Sequence, residues 1–314
     1  MKVLITGGAG FIGSHLAQTL HARGADIVVL DDFSTGSLDN LDWHGHGGLE
    51  CVEGDVGDEA LLKKIVPGCE WVFHEAAVAS VPQSVAEPAA TNRTNLDATL
   101  NLLIAARDSG VKRFLFASSS AIYGDSEVKK KHEGLPPMPI TPYGLQKYAS
   151  ERYAQLFHQL YSLPTVSLRY FNVFGPRQSF NSPYSGVIAK FCSAMLKGET
   201  PLIFGDGQQS RDFVFIDNIV QANLMCAEAP EAAVAGRVFN AATGSSISLR
   251  QLVTDINDLT GQQLQPRFEK ERPGDILHSQ ADISAAATAF GFTPKVTWKE
   301  GLAQTLEFYR QQPG

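Results

Sequence analysis

The segment Met1–Gly13 reads MKVLITGGAGFIG. KVLIT is a run of strand-favouring residues. Glycines follow at positions 7, 10 and 13, and Ile12, Leu16 and Leu20 then recur at helical spacing. A strand that turns through glycines straight into a helix is a βα unit. Gly7 permits a tight turn, Gly10 lets a backbone approach a pyrophosphate, and Gly13 lets strand and helix pack closely. The first helical turn, with Phe11 and Ile12, would face the phosphates with its free amides.

Outward from this unit, near-continuous apolar runs recur: DIVVLDD (26–32), LECVEGD (49–55), EWVFHEAA (70–77), RFLFASSS (113–120) and TVSLRYFN (165–172). Such runs are expected of strands buried on both faces. Helical patterns lie between them at 58–66, 92–109 and 142–162. The alternation predicts an α/β fold, a Rossmann-type doubly wound parallel sheet. After Asn172 the loop GPRQSFNSPYSG (175–186) breaks the pattern. A helix (187–197) and a strand (201–207) follow, then a strand–helix unit at 236–256, a less regular tail from about 262, and a last helix. The expected division is a dinucleotide-binding lobe of 1–172 plus 236–258, a smaller substrate lobe of 173–235 plus 259–298, and a C-terminal helix, 299–314.

With 314 residues, 44% hydrophobic and 19% charged, the composition is that of an ordinary globular protein. A net charge of −7 leaves no basic excess for a polyanion, so no nucleic-acid partner is expected. No apolar run reaches the roughly 18 residues of a membrane span, and the N-terminus reads as a core strand rather than a signal peptide. Four cysteines (Cys51, Cys69, Cys192, Cys226) lack C-x2-C spacing and have apolar neighbours. Buried, reduced thiols are expected, which points to the cytoplasm. His44 and His46 are flanked by glycines and have no third ligand, so no metal is expected. Lys129–Lys131 reads as a solvated turn.

The chemistry is expected at the strand ends. Asp31 and Asp32 close the second strand, where a carboxylate accepts from a ribose 2′-OH and repels a 2′-phosphate. Phe33, Ser34 and Gly36 continue that edge, and no arginine follows immediately, so NAD is the expected cofactor. Asp55 and Val56 close the third strand; Asp55 could reach an adenine amino group or cap the next helix. His74, Ala76 and Ala77 end the fourth strand, and Asn95 and Tyr170 complete the expected cofactor contacts. Ser118, Ser119 and Ser120 end the fifth. In ITPYGLQKYASE (140–151), Pro142 suits a first turn, so Tyr143 and Lys147 stand at i and i+4 on one helix face. A free phenol, with a pKa of about 10, is a poor base at neutral pH, and a neighbouring ammonium and the positive nicotinamide ring should both favour the phenolate. A serine can hold a substrate hydroxyl while the phenolate takes its proton and hydride leaves for NAD. The Tyr–Lys spacing alone is weak evidence. It gains meaning from the glycine turn, the acidic second strand and the serine-ended fifth strand.

Together these residues resemble the extended short-chain dehydrogenase/reductase family, in particular its nucleotide-sugar C4-epimerases. The resemblance covers essentially the whole chain through GGAGFIG, SSSAIYG (118–124), PYGLQK (142–147), RYFNVFGP (169–176), GQQSRDFVFIDN (207–218) and RPGD (272–275). It implies that Tyr143 is the acid/base, Lys147 its electrostatic partner and Ser119 the substrate-holding hydroxyl, with Ser120 the alternative. The family's 4,6-dehydratases carry Asp-Glu after that hydroxyl, and its decarboxylases keep the Glu. Here Ser120-Ala121 supplies no carboxylate, which leaves oxidation, rotation of a 4-keto sugar and reduction.

The resemblance further assigns Arg211 and Arg272 to the nucleotide diphosphate, Asn172 to the pyrophosphate region, Asp275 to the nucleotide ribose and Leu202, Ile203 and Phe204 to the uracil. Ala79, Ser80, Gly186 and Val187 complete the substrate set. Ser279 occupies a wall position where a bulky Tyr accompanies unsubstituted hexoses and a small residue N-acetylated ones, and Ala79 replaces a lysine of some glucose-type members. UDP-GlcNAc/UDP-GalNAc is therefore the expected substrate pair, with room for UDP-Glc/UDP-Gal. The alternatives are a UDP-glucuronate 4-epimerase and a non-catalytic dinucleotide-binding module. A homodimer through a four-helix bundle of 92–109 and 142–162 is also implied.

Overall fold

The computed structural model describes residues 1–44, 47–179, 186–271 and 277–311. Its strands and helices run β1 (Lys2–Thr6), α1 (Phe11–Ala22), β2 (Asp26–Asp31), β3 (Leu49–Glu53), α2 (Glu59–Ile65), β4 (Trp71–His74), α3 (Val81–Ala86), α4 (Pro88–Asn92), α5 (Ala98–Asp108), β5 (Arg113–Ser119), β6 (Lys130–Lys131), α6 (Pro142–Tyr161) and β7 (Thr165–Tyr170). They continue as β8 (Asn172–Phe174), α7 (Val187–Leu196), β9 (Leu202–Phe204), β10 (Ser210–Arg211), β11 (Phe213–Phe215), α8 (Ile216–Glu228), α9 (Glu231–Val234), β12 (Arg237–Ala241), β13 (Ile247–Ser248), α10 (Leu249–Thr260), β14 (Arg267–Glu269), β15 (His278–Ala281), α11 (Ser284–Phe290) and α12 (Trp298–Gln311).

The apolar runs assemble as expected into one parallel sheet of seven strands, ordered β12-β7-β5-β4-β1-β2-β3. Alternation along each strand serves both faces. On β1, Val3 and Ile5 join Leu16 of α1 and Ile219 of α8, whereas Leu4 joins Leu62 of α2, Leu102 of α5 and Phe157 of α6. The strand order reverses between β1 and β4, the place where an open α/β sheet leaves a crevice at its carboxyl edge.

Several expectations are corrected. β3 is an edge strand, and its residues Glu50, Cys51 and Glu53 are exposed. Cys51 is therefore an exposed thiol, while Cys69, Cys192 and Cys226 are buried and free. The 165–172 run breaks at Phe171, so Asn172 begins β8 and pairs with β11 outside the main sheet. The 92–109 helix is interrupted by a π-helical turn, Arg93–Asp97. The lysine run is solvated only at Lys129 and Lys130. Lys130 and Lys131 form β6 beside β15, and the buried Lys131 ammonium donates to the carbonyls of Ser126 and Val128, which satisfy it.

The second lobe holds the four-stranded sheet β13-β10-β15-β6 and the mutually packed α7, α10 and α12. Two segments pack otherwise than the sequence boundaries imply. Helix α8 lies against α1, β5 and β7, because its buried face (Ile219, Ala222, Leu224, Cys226) completes that side of the main sheet. Helix α10 instead turns Leu252, Val253 and Ile256 toward the second lobe. Among the described residues no helix is long and apolar enough to cross a membrane.

Candidate active site

The glycine turn shows why it must be glycine. Gly7 has φ +66°, and a Cβ there would lie 2.7 Å from the Ala76 nitrogen; a Cβ on Gly13 would lie 2.2 Å from the Gly7 carbonyl oxygen. The turn is held from β2, where the Asp31 carboxylate accepts the Ala9 amide at 2.9 Å and the Phe33 amide at 2.9 Å. Burial pushes the Asp31 carboxyl up, and these amides pull it back. Asp31 thus braces the turn that it faces.

A groove opens over this turn, lined by Gly7, Gly10, Phe11, Ile12, Gly13, Asp31, Asp32, Ser34, Asp55, Val56, Ala76 and Ala77 of the proposed cofactor set and by Ala79, proposed for the substrate. Leu30, Thr35, Gly54, Glu75, Val78 and Thr94 line it as well and were missed. Asp32 accepts the Ser34 amide and hydroxyl. Asp55 accepts the Gly57 amide at 2.7 Å, and the cap of α2 is Asp58, so Asp55 keeps its place at the groove. Gly36 packs its backbone against Asp31 and Ala9, and Phe33 packs its ring against the core.

His74 and Asn95 do not reach the groove. The fully buried His74 ring sits between Thr6 Oγ1 at 2.7 Å and Thr99 Oγ1 at 2.9 Å. Thr99 already donates to the Asn95 carbonyl, so the ring is neutral with its proton on Nε2, and burial lowers its pKa to about 3. Asn95 donates to Gln146 and the Val78 carbonyl and accepts the Val78 amide. It shapes the groove by holding Val78 rather than by touching a ligand. Strand alternation and the π-helical turn direct these two side chains inward.

At the carboxyl end of β5 the three candidate catalytic residues converge. Thr141 caps α6, and the Tyr143 amide donates to Ser84 Oγ at 3.1 Å, a buried anchor that the sequence did not signal. Ser119 acts on the Tyr143 phenol, and its Oγ accepts the Ala121 amide at 3.1 Å. Lys147 Nζ donates to the Ala117 carbonyl at 2.8 Å and lies 4.9 Å from the centre of the Phe116 ring. Burial lowers the Lys147 ammonium to about 8, and the Glu75 carboxylate opposes that fall. Burial raises the Tyr143 pKa, and the counteracting force is the Ser119 hydroxyl. The lysine directs its charge to β5 and Glu75.

Ser118, one residue before Ser119, is turned away and donates to Glu151 Oε2 at 2.7 Å. Glu151 in turn receives Arg169 through two bonds of 3.0 and 2.7 Å, with both side chains almost wholly buried. Arg169 also lies over the Tyr123 ring at 4.7 Å, and Tyr123 donates to Asn240. Ser120 is partly exposed in the 3-10 turn Ser120–Tyr123.

The model of the NAD dependent epimerase/dehydratase family matches residues 3–242. The chain belongs to this family. A UDP-glucose 4-epimerase from Mycolicibacterium smegmatis is 38% identical over 317 residues, covering 99% of each chain. Among solved structures, a UDP-N-acetylglucosamine 4-epimerase from Methanobrevibacter ruminantium M1, in complex with UDP-N-acetylmuramic acid, is 42% identical with a TM-score of 0.95 and 99% coverage of both chains. A Thermus thermophilus UDP-glucose 4-epimerase in complex with NAD is 35% identical, TM-score 0.89, again with 99% of both chains. The cofactor of this epimerase/dehydratase family member is NAD. The groove fits it: backbone can approach closely at Gly7 and Gly10, Asp31 and Asp32 line its acidic edge, and its described lining carries no lysine or arginine to favour a 2′-phosphate.

In this family member the expected substrate residues are placed less uniformly. Arg211 on β10 stands in register with Ser279 on β15 and donates to the Ser210 carbonyl at 3.0 Å. Asp212 beside it accepts Thr243, Gly244 and Ala281 amides and so clips β10 to β15. Asn172 donates to the Asp212 carbonyl, Gly186 precedes α7 and is exposed, and Val187 opens that helix. Ser80 caps α3 through the Gln83 amide. Ile203 is corrected: alternation along β9 turns it into the core, leaving Leu202 and Phe204 on the other face. Arg272, Asp275 and His46, and the side chain of His44, lie outside the described residues.

Proposed function

We propose that the chain is an NAD-dependent UDP-sugar 4-epimerase that favours UDP-GlcNAc/UDP-GalNAc and also admits UDP-Glc/UDP-Gal. The observation that carries this reading is the meeting of Ser119 at the end of β5 with Tyr143 of α6, followed by Ser120-Ala121 where an elimination or decarboxylation would call for a carboxylate. NAD, when bound, accepts the hydride from the sugar and returns it. Ser119 holds the 4-oxygen, and Tyr143 takes and later returns the 4-OH proton. Because burial holds the proton on Tyr143, the phenol becomes a base only in the loaded site, where added positive charge and the Ser119 hydrogen bond favour the phenolate. Lys147 supplies positive charge on that side of the pocket at neutral pH.

On this reading Arg211 and Arg272 hold the diphosphate, a task suited to a planar fork of donors. Asp275 meets the ribose, and Leu202 and Phe204 flank the base. Ser279, beside Arg211, leaves space for an N-acetyl group. The exposed Ile104 of α5 and Tyr153, Leu156 and Leu160 of α6 support a homodimer through those helices. Three buried free thiols support a reducing cytoplasmic setting.

The test is incubation of the purified protein with UDP-GlcNAc, UDP-Glc and UDP-glucuronate, first alone and then with added NAD. The expected products are the C4 epimers of the first two. No epimer of any sugar would overturn the assignment, and epimerisation of UDP-glucuronate alone would select the rival substrate. Ser279→Tyr should abolish turnover of the N-acetylated pair while sparing UDP-Glc.

A further inference from the structure

Beyond β4 the wall of the dinucleotide groove is irregular backbone. Residues 75–80 have no regular structure, and Ala76, Ala77 and Val78 line the groove with little side-chain bulk to anchor them. The wall also touches the glycine turn, since a Cβ on Gly7 would lie 2.7 Å from the Ala76 nitrogen. Backbone without a ladder must find other partners for its amides. The Glu75 and Ala76 amides both donate to Thr6, one to its carbonyl at 3.1 Å and the other to its hydroxyl at 3.4 Å. Two residues on, the Val78 amide donates to Asn95 Oδ1 at 2.8 Å, and Asn95 Nδ2 donates to the Val78 carbonyl at 3.1 Å.

One anchor is on β1 and the other on the π-helical turn, and His74 joins them. Its Nδ1 lies 2.7 Å from Thr6 Oγ1 and its Nε2 2.9 Å from Thr99 Oγ1, while Thr99 donates to the Asn95 carbonyl at 2.9 Å. The Thr99 proton is committed to Asn95, so the ring donates from Nε2 and Nδ1 accepts from Thr6. That leaves the Thr6 oxygen to accept the Ala76 amide. The chain Ala76→Thr6→His74→Thr99→Asn95 therefore runs in one direction from one end of the wall to the anchor of the other. The ring packs against Phe114 and Phe116 of β5, with centroids 6.1 and 5.7 Å away. Burying an imidazole completely is costly unless both nitrogens are bonded, and an apolar side chain would fill the same space without that cost. Fully satisfied, a buried polar network instead specifies one arrangement.

We propose that His74 is a positioning residue for NAD: bonded to Thr6 and Thr99, it fixes the wall 76–78 against the glycine turn without touching the cofactor. Thr6 and Thr99 act through the same ring. Neither His74 nor Thr99 lines the groove, so any effect of these residues on NAD reaches it through the wall. The inference concerns the cofactor groove alone and holds whichever sugar the site takes.

The test is the affinity for NAD, titrated calorimetrically into the purified chain. Thr6→Val keeps the shape and removes the hydroxyl, and it should weaken binding by about tenfold; Thr6→Ser, which keeps the hydroxyl, should restore it. Thr99→Val, on the far side of the ring, should weaken binding by a similar factor. His74→Phe should do the same, and Thr6→Val/His74→Phe should lose no more than either single variant, because both break one chain. In protein carrying 15N-labelled histidine, His74 should show the Nε2–H tautomer, and Thr6→Val should move its Nδ1 signal. If His74→Phe does not fold, the two valine variants and the serine rescue still decide. Unchanged NAD affinity in folded Thr6→Val and Thr99→Val overturns the proposal, even where their stability falls, since the ring would then serve the core alone. Weakened NAD binding in a protein that epimerises no sugar upholds it and overturns the epimerase reading alone.

Discussion

Replacing Glu151 by Gln tests the scaffold beneath the catalytic strand. Glu151 and Arg169 are 2% and 3% exposed at their side chains and joined by two bonds, and Ser118 completes the set of acceptor contacts on Oε2. A glutamine keeps the shape but removes the charge, and its single acceptor oxygen cannot serve Ser118 and both guanidinium bonds. Breaking one side of a buried pair costs about 3–5 kcal/mol, because the remaining charge is stranded. Against a total stability of roughly 5–15 kcal/mol that is a large fraction. At about 2 °C per kcal/mol for a chain of this size, the Tm should fall by on the order of 10 °C. Thermal and urea unfolding of the purified variant measure this. The double variant Glu151→Leu/Arg169→Met removes both charges and should recover a large part of the loss. A Glu151→Gln protein within about 1 kcal/mol of wild type, or a double variant no better than the single, would refute the reasoning.

Further outcomes follow from the same structure. Tyr143→Phe should lower kcat by about 10²–10⁴ with NAD binding retained, as measured by cofactor content and turnover; wild-type kcat would remove Tyr143 from proton transfer. Gly13→Ala brings a methyl against the Gly7 carbonyl, so it should cost about 1–3 kcal/mol of stability and weaken NAD binding, read by calorimetry. His74 and His15 are held neutral, lowered by burial to about 3 and about 4. Both protonate on unfolding, so they make stability fall as pH drops below about 6.5, and unfolding curves of His15→Gln should show a shallower acid slope.

The parts of the fold that depend on local chemistry were legible. A glycine turn between β1 and α1, an apolar β5 and a Pro142-started α6 each have a local physical signature, and the groove formed where they predicted it. The parts that depend on neighbours were not. LECVEGD is apolar enough to read as a buried strand, yet Glu50 and Glu53 fit an edge, and the edge exposes Cys51. His74 lies in a strand end that faces the ligand side, but its ring follows the strand's alternation into the space under Thr6 and Thr99. The Tyr143–Lys147 spacing put both residues on one helix face, but i and i+4 geometry says nothing about the carbonyl of Ala117 that receives the ammonium. The acidic residue next to the expected small pair, Glu75, was visible in HEAA, but its hydrogen-bond partner Tyr170 lies far along the chain.

The late arrival of β12 in the main sheet has a consequence for biosynthesis. Its residues, Arg237–Ala241, pair with β7 only after the chain has passed through much of the second lobe. Until they leave the ribosome, β7 presents an unpaired strand edge, the kind of surface on which a growing chain mispairs or aggregates. Once docked, β12 is guarded in its turn, since its Asn240 amide is taken by the Glu133 carboxylate. Translation speed over the intervening segment therefore sets how long that edge stays open, and slowing it should raise the demand for chaperones more than slowing any stretch after Ala241.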